Sequence, residues 1–209
     1  PKTASTCKKR WLNSCCSAVP SSEAQRVRRY GFNTGTCCAI ILLLLSICGC
    51  AAINPHQIAL DTLLTLIEQR LALADEVARS KWNSGAAVED LARENEIVEA
   101  IGRDAGKYGL DPAFARSFFR AQIEASKLAQ NARLAQWRAA RQPPFADAPD
   151  LQRDIRPQLD RLTPLMLDAL SRSLPALHAP DAAMRLQARA GDAAHAAALQ
   201  PLLSAARGN

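Results

Sequence analysis

From Asn54-Pro55 to about residue 82, apolar side chains recur at steps of three and four residues. The recurring positions are Ile58, Leu63, Leu66, Ile67, Leu71, Leu73, Ala74, Val77 and Ala78. This spacing gathers them on one face of an α-helix, which must be covered by other apolar surfaces. Apolar residues make up 48% of the chain and aromatic residues only 5%, a balance that favours helices over strands. The pattern predicts an all-α domain with a long first helix.

Turn and capping residues divide the next part of the chain. Asn83-Ser84-Gly85 is expected to end the first helix, and a second helix is predicted to begin near Val88 with acidic residues in its first turn. Asp111-Pro112 has the arrangement of an N-cap followed by the first helical residue. A third helix is therefore predicted to run from there to about Ala140.

The Pro-rich segment 141–150, RQPPFADAPD, cannot continue a helix and is predicted to be a connection at a subdomain edge. Two further Ala- and Leu-rich helices are expected over residues 151–174 and 182–206, with Pro157 and Pro164 tilting or breaking the first of them. The whole pattern predicts a single helical domain with about five to six helices.

Cysteine and net charge are both confined to the N-terminal quarter. All seven cysteines precede residue 51. Residues 1–52 contain seven Lys and Arg and one acid, whereas residues 53–209 contain 19 of each sign. A neutral, Cys-free domain argues against a nucleic-acid partner and excludes a disulfide or thiolate metal site there. We expect no metal and no cofactor.

Residues 25–52 have the layout of an export signal. Three arginines precede the apolar run 37–52, CCAIILLLLSICGCAA, which ends in small residues. The run is shorter than the roughly 20 residues of a membrane span, so a cleaved signal peptide is favoured over a retained anchor. Cleavage after Ala52 and lipid attachment at Cys50 both remain open. The mature domain is predicted to be 53–209.

Residues 1–24 are predicted to be upstream sequence outside the signal, because no methionine precedes Met166. The membrane is therefore expected to be a partner only through the signal segment or through a lipid on Cys50.

Polar residues at helical spacings suggest a binding site. Arg70 and Lys81 are 11 positions apart, about three turns, so both project from one face of the first helix. Asp90, Arg93 and Glu94 lie at the start of the second helix. The third helix carries Ser126 and Gln130, which are four residues apart. Each group alone is more typical of a solvated, ion-paired helix surface than of a ligand site.

Taken together, these seven residues resemble the all-helical chorismate mutase family over roughly residues 58–160. The family supplies an Arg and a Lys 11 residues later, then an Asp, an Arg and an acid, then Ser or Thr followed four residues later by Gln or Glu. The export signal and the long C-terminal extension resemble the secreted subclass. In that subclass a further Arg completes the pocket; Arg156 is the candidate, with Arg153 as the alternative.

The resemblance implies a chorismate mutase type II-like fold and the conversion of chorismate to prephenate without a cofactor. It implies that Arg70 and Arg156 clamp carboxylates and that Lys81 and Gln130 face the ether oxygen. Arg93 and Glu94 would complete the catalytic group, with Ser126 positioning polar groups and Asp90 orienting its neighbours. It also implies 53–140 as the catalytic helices, 151–209 as a helical extension, a homodimer, and a periplasmic or secreted location.

Two departures from the family and one alternative function accompany this interpretation. A domain without cysteine cannot form the disulfide that some secreted relatives carry, and Ile97 stands where some carry a polar pocket residue. The alternative is a non-catalytic exported helical protein that binds or interacts with a partner through the same residues.

Overall fold

The computed structural model describes residues 54–208, which form six α-helices and no strand. A 3-10 turn, Ala105–Tyr108, follows the second α-helix, and a short π-helical turn, Leu151–Ile155, precedes the fourth. The α-helices are α1 (Pro55–Ser84), α2 (Leu91–Asp104), α3 (Pro112–Ala139), α4 (Arg156–Leu177), α5 (Ala182–Arg189) and α6 (Ala193–Ala206). The predicted all-α class is confirmed. The predicted signal segment and the cysteines lie outside the described residues.

Helix α1 begins and ends where the sequence predicts. The Asn54 side chain accepts a hydrogen bond from the His56 backbone N–H at 3.0 Å, and Pro55 occupies the first helical position. Gly85 ends the helix with a φ of 68°, a left-handed conformation that glycine adopts without steric cost. Ile58 is an exception to the apolar face, because 52% of its surface is exposed.

Helix α2 begins three residues later than predicted, at Leu91 rather than near Val88. The Asp90 side chain accepts from the Arg93 backbone N–H at 3.1 Å, and the Glu94 side chain accepts from the Asp90 backbone N–H at 3.2 Å. This reciprocal capping places Asp90 before the helix and fixes the connection that leads into it.

Helix α3 confirms the prediction at both ends. The Asp111 side chain accepts from the Phe114 backbone N–H at 2.8 Å, and the helix runs from Pro112 to Ala139. Gly109, with a φ of 66°, provides the turn before it.

The C-terminal part differs from the sequence prediction. Helix α4 continues through Pro164 instead of breaking there. The helix predicted over 182–206 is two helices, because Gly191 interrupts it and Asp192 caps α6 by accepting from the His195 backbone N–H at 2.9 Å. Gly191 followed by Asp192 is a sequence signal that one helix ends and another begins.

Helices from both sides of the 141–150 connection share one apolar core. Phe118 and Phe119 of α3 are fully buried and lie edge to face, with ring centroids 5.4 Å apart. They belong to one cluster with buried residues of α1, α4 and α6, including Leu60, Ile67, Met166, Leu170 and Leu202. The connection therefore does not divide two separate cores. Within residues 54–208, no helix has the length and apolarity needed to span a membrane.

The connection itself is fastened to the end of α1. The Asn83 amide donates to the Phe145 carbonyl at 2.7 Å and accepts from its N–H at 2.9 Å. The Phe145 ring lies against Trp137, with centroids 4.9 Å apart, and the guanidinium of Arg79 covers it. Arg79 also forms an ion pair with Asp147. These contacts fix the chain shortly before it enters α4.

Candidate active site

A cavity of about 450 Å³ lies between α1, α2, α3 and α4, covered on one side by the connection between α1 and α2. All eight residues predicted for the site line it, namely Arg70, Lys81, Asp90, Arg93, Glu94, Ser126, Gln130 and Arg156. Arg153 does not line the cavity; it is 77% exposed and forms an ion pair with Asp154. The fold thus brings together side chains separated by up to 86 positions in the sequence.

Arg70 is a buried cation in the middle of α1. Only 7% of its surface is exposed, and its Nε atom has no hydrogen-bond partner among residues 54–208. Burial lowers the pKa of Arg70 to about 10, and the opposing charge of Asp160 offsets part of the effect. The guanidinium therefore stays protonated at neutral pH. A buried charge with an unpaired donor is costly, so this position favours a bound anion.

Lys81 lies about three turns further along the same face of α1. Its Nζ donates to the Val88 carbonyl at 2.7 Å, which ties α1 to the connection above the cavity. Burial lowers the pKa of Lys81; Arg156 acts in the same direction, whereas Asp90 and Glu94 oppose the shift.

Two hydrogen bonds of helix α2 hold its polar residues at the edge of the cavity. The Glu94 side chain accepts from the Asp90 backbone N–H, and the Asp90 side chain accepts from the Arg93 backbone N–H. The Arg93 side chain is 34% exposed and its guanidinium pairs with Glu96 at 2.7 Å. Arg93 therefore lies at the rim of the cavity rather than at its centre.

Gln130 and Ser126 interact across one turn of α3, as their spacing predicts. The Gln130 amide nitrogen donates to Ser126 Oγ at 3.0 Å, while its Oε1 is buried without a hydrogen-bond partner among the described residues. A half-turn of the amide lets the Ser126 hydroxyl donate to Oε1 and frees both amide N–H groups for a ligand.

Arg156 is the first residue of α4 and follows the π-helical turn Leu151–Ile155, which comes after the 141–150 connection. Its guanidinium donates to the Gln152 side-chain oxygen at 2.7 Å and reaches the cavity near Lys81. Leu151 and Leu159 add apolar walls beside it. The cations predicted for the site thus come from α1, α2 and α4 and share the cavity with an apolar lining.

Comparison with known proteins gives the family. The family model described as chorismate mutase type II matches residues 61–131, a range that contains seven of the eight predicted site residues. The secreted chorismate mutase of Mycolicibacterium smegmatis is 37% identical over 132 residues, which cover 61% of this chain and 72% of that protein. This chain belongs to the chorismate mutase type II family. The resemblance predicted from the residues is confirmed.

Further family members agree in sequence and in fold. The secreted chorismate mutase of Mycobacterium tuberculosis is 31% identical over 129 residues, covering 61% of this chain and 63% of the relative. The crystal structure of chorismate mutase from Burkholderia thailandensis superimposes with a TM-score of 0.61 at 42% identity, over 71% of this chain and 98% of that one. That from Burkholderia phymatum gives 0.61 at 30% identity, over 73% and 98%.

The cavity of this chorismate mutase family member also contains charged residues that sequence reasoning missed: Lys127, Glu89 and Asp160. Asp160 follows Arg156 by four residues, so helical spacing could have placed both on one face. Glu89 falls within the helix predicted to begin near Val88, but in the structure it precedes α2. Lys127 follows Ser126 directly, and nothing in the local sequence indicates that it faces the cavity.

Proposed function

We propose that this chain is a secreted chorismate mutase that converts chorismate to prephenate. Chorismate carries two carboxylates, and its rearrangement breaks an ether C–O bond as a C–C bond forms, with no proton transferred. Such a reaction needs a site that holds the compact conformer and stabilises negative charge growing on the ether oxygen. It needs no nucleophile and no general base.

The buried guanidinium of Arg70 is the observation that carries this proposal. Arg70 lines a cavity that also contains Lys81 and Arg156, so three cations surround one space. Arg70 and Arg156 would each bind a carboxylate, since a guanidinium offers parallel N–H donors that match carboxylate geometry. Binding would also place an anion beside a cation that the protein buries.

Lys81 and Gln130 are the proposed partners of the ether oxygen. One N–H of the Lys81 ammonium is used by Val88, which leaves two for a ligand. The Gln130 amide, once turned so that Ser126 donates to its oxygen, presents N–H groups as well. Both donors would bind the oxygen most strongly when its negative charge is largest, in the transition state.

The remaining polar residues are assigned positioning roles. Asp90 and Glu94 fix the start of α2 by capping the backbone N–H groups of Arg93 and Asp90, respectively. Asp90 also lies near enough to Lys81 to stabilise its charge. Arg93 would close the rim of the cavity over the bound ligand. Ser126 would hold the Gln130 amide in the productive orientation.

The test is direct detection of prephenate after adding chorismate to the purified full chain. We expect turnover, and a loss of at least about a hundredfold in kcat/KM for Arg70→Ala. Arg116→Ala is a matched control, because Arg116 also has a buried, unpaired Nε but does not line the cavity. Binding of chorismate without prephenate formation would favour the non-catalytic alternative.

The names of the relatives support secretion, and residues 25–52 are proposed as the signal peptide that directs it. Simple cleavage after Ala52 leaves the domain 53–209 free in the periplasm or outside the cell, whereas lipid on Cys50 would anchor it. Mass spectrometry of the exported protein distinguishes the two. A homodimer is proposed from family resemblance alone, and light scattering on the purified protein measures it.

A further inference from the structure

Lys127 lies in the wall of the cavity but matches none of the family's motif positions. Its side chain is only 14% exposed. The ammonium lies 2.7 Å from Glu124, 3.1 Å from Glu94 and 3.6 Å from Glu89. Those carboxylates belong to α3, to α2 and to the connection between α1 and α2, so one side chain joins three segments around the cavity.

The protein already engages two of the donors of Lys127, through Glu124 and Glu94. An ammonium has three N–H groups, and three carboxylates surround this one. The hydrogen bond with Glu124 raises the pKa of Lys127, against an opposing effect of burial, and Glu94 raises it further. Lys127 is therefore a cation that two carboxylates hold closely and a third faces at 3.6 Å, which distinguishes it from Lys81.

The charge balance of the cavity depends on this residue. Five cations and four carboxylates line the cavity. The cations are Arg70, Lys81, Arg93, Lys127 and Arg156, and the carboxylates are Glu89, Asp90, Glu94 and Asp160. Without Lys127 the two signs would be equal, and Glu94 would face a dianionic ligand with only the Asp90 N–H and the charge of Lys81 to offset its own.

We propose that Lys127 is a positioning residue of this site, which holds Glu94 and Glu89 in place, offsets their charges and leaves the cavity net positive. The inference rests on the proposed function, because it takes chorismate as the ligand. Uncompensated carboxylates repel substrate and transition state about equally, so losing Lys127 weakens binding in general. Losing Lys81 removes a contact that acts mainly in the transition state.

The experiment compares steady-state kinetics of full-length variants. For Lys127→Met we expect KM for chorismate to rise about tenfold while kcat changes less than about threefold. Lys127→Arg keeps the charge and is expected to restore KM to within about threefold of wild type. Lys107→Met is the matched control: Lys107 pairs with Asp104 at 2.6 Å on the surface, outside the cavity, and its loss should change neither constant.

A charge-restoring double variant separates electrostatics from packing. Adding Glu89→Gln to Lys127→Met removes one carboxylate and makes the cavity net positive again. On a logarithmic scale, KM should therefore fall back by at least about half of the increase that Lys127→Met causes. If Lys127→Met does not fold, as judged by circular dichroism, Lys127→Gln serves in the same comparison. Thermal stabilisation by chorismate provides a readout that needs no turnover, and it should be smaller without Lys127.

The outcomes distinguish this inference from the proposed function. If the wild-type chain turns over chorismate and Lys127→Met retains its KM, the role of Lys127 is overturned and the function stands. If the wild-type chain binds chorismate without turnover, the function fails, and the thermal shift of the variant decides the role of Lys127. A wild-type chain that neither binds nor converts chorismate overturns both.

Discussion

At the residue scale, Arg70 and Lys81 show how one helix face can carry two different tasks. Arg70 is buried with an unpaired donor, whereas Lys81 already gives one N–H to the Val88 carbonyl. The first arrangement favours tight binding of a carboxylate. The second leaves a movable ammonium with two free donors, which suits an oxygen whose charge changes during the reaction.

Truncation of Lys81 tests that difference. Lys81→Ala is expected to lower kcat by two or more orders of magnitude, about 3 kcal/mol of transition-state stabilisation, with the helical fold intact. Stopped assays of prephenate and circular dichroism on the same samples measure both quantities. Near-normal turnover by a folded variant would mean that the ether oxygen lies elsewhere.

The contribution of Gln130 to kcat should not depend on pH. A neutral amide donates hydrogen bonds at any ordinary pH, whereas a carboxyl there must keep its proton to do so. We expect little loss of kcat from this position between about pH 6 and 9, and a loss with rising pH for Gln130→Glu. A flat profile for the glutamate variant would contradict the assignment.

Residue spacing predicted part of the site and missed the rest for a physical reason. Arg70 and Lys81 share one helix, so their 11-residue spacing fixes their common face. The role of Lys127 depends on Glu94, which is 33 positions away on another helix. Only the packing of α2 against α3 reveals that pair.

At the scale of the elements, caps and stops were largely predictable and the proline effects were not. Asp111-Pro112 and Gly85 act as the sequence indicates because caps are local interactions. Pro164 removes one hydrogen bond from α4, yet the helix continues, since the apolar face that includes Met166 and Leu170 is buried in the core. Tertiary packing outweighs the local preference there.

The contacts that hold the 141–150 connection against α1 should affect the site, because they help to position Arg156. Asn83→Ala removes both hydrogen bonds to the Phe145 backbone, which we expect to cost about 1–2 kcal/mol of folding free energy. Arg156 would then be less well placed, so KM should rise about threefold or more. Asn131→Ala, on the exposed face of α3, is the control for asparagine removal. Unchanged KM in a destabilised Asn83→Ala chain would show that the connection does not position Arg156.

At the scale of the whole molecule, the C-terminal helices close the core against α1 and α3. Gln122 of α3 donates to the Ala198 carbonyl of α6 at 2.8 Å. His195 of α6 joins that helix to α1, with its ring nitrogens 2.7 Å from Asp192 and 2.9 Å from Glu68. An imidazolium donates from both nitrogens, so this bridge is complete only when His195 is protonated.

This bridge makes stability depend on pH in a defined direction. The hydrogen bond with Asp192 raises the pKa of His195, with Glu68 acting the same way and burial opposing. The stabilisation is present in full below the unfolded-state pKa of about 6.5 and is lost as the pH rises through the higher folded-state value. Wild type should exceed His195→Gln in unfolding free energy by about 1 kcal/mol at pH 5.5 and by less at pH 9.

Denaturant titrations at the two pH values check this prediction. His178→Gln, at an exposed position following α4, is the control for histidine removal and should show no such change. A difference that grows with rising pH would reverse the sign required by the bridge.

The most direct test of the account is a crystal structure of the chain with a bicyclic ether dicarboxylate that mimics the rearranging transition state. We predict its two carboxylates against Arg70 and Arg156, and its ether oxygen between Lys81 Nζ and the Gln130 amide nitrogen. An analogue bound outside this cavity, or bound within it with Arg70 still unpaired, would contradict the account.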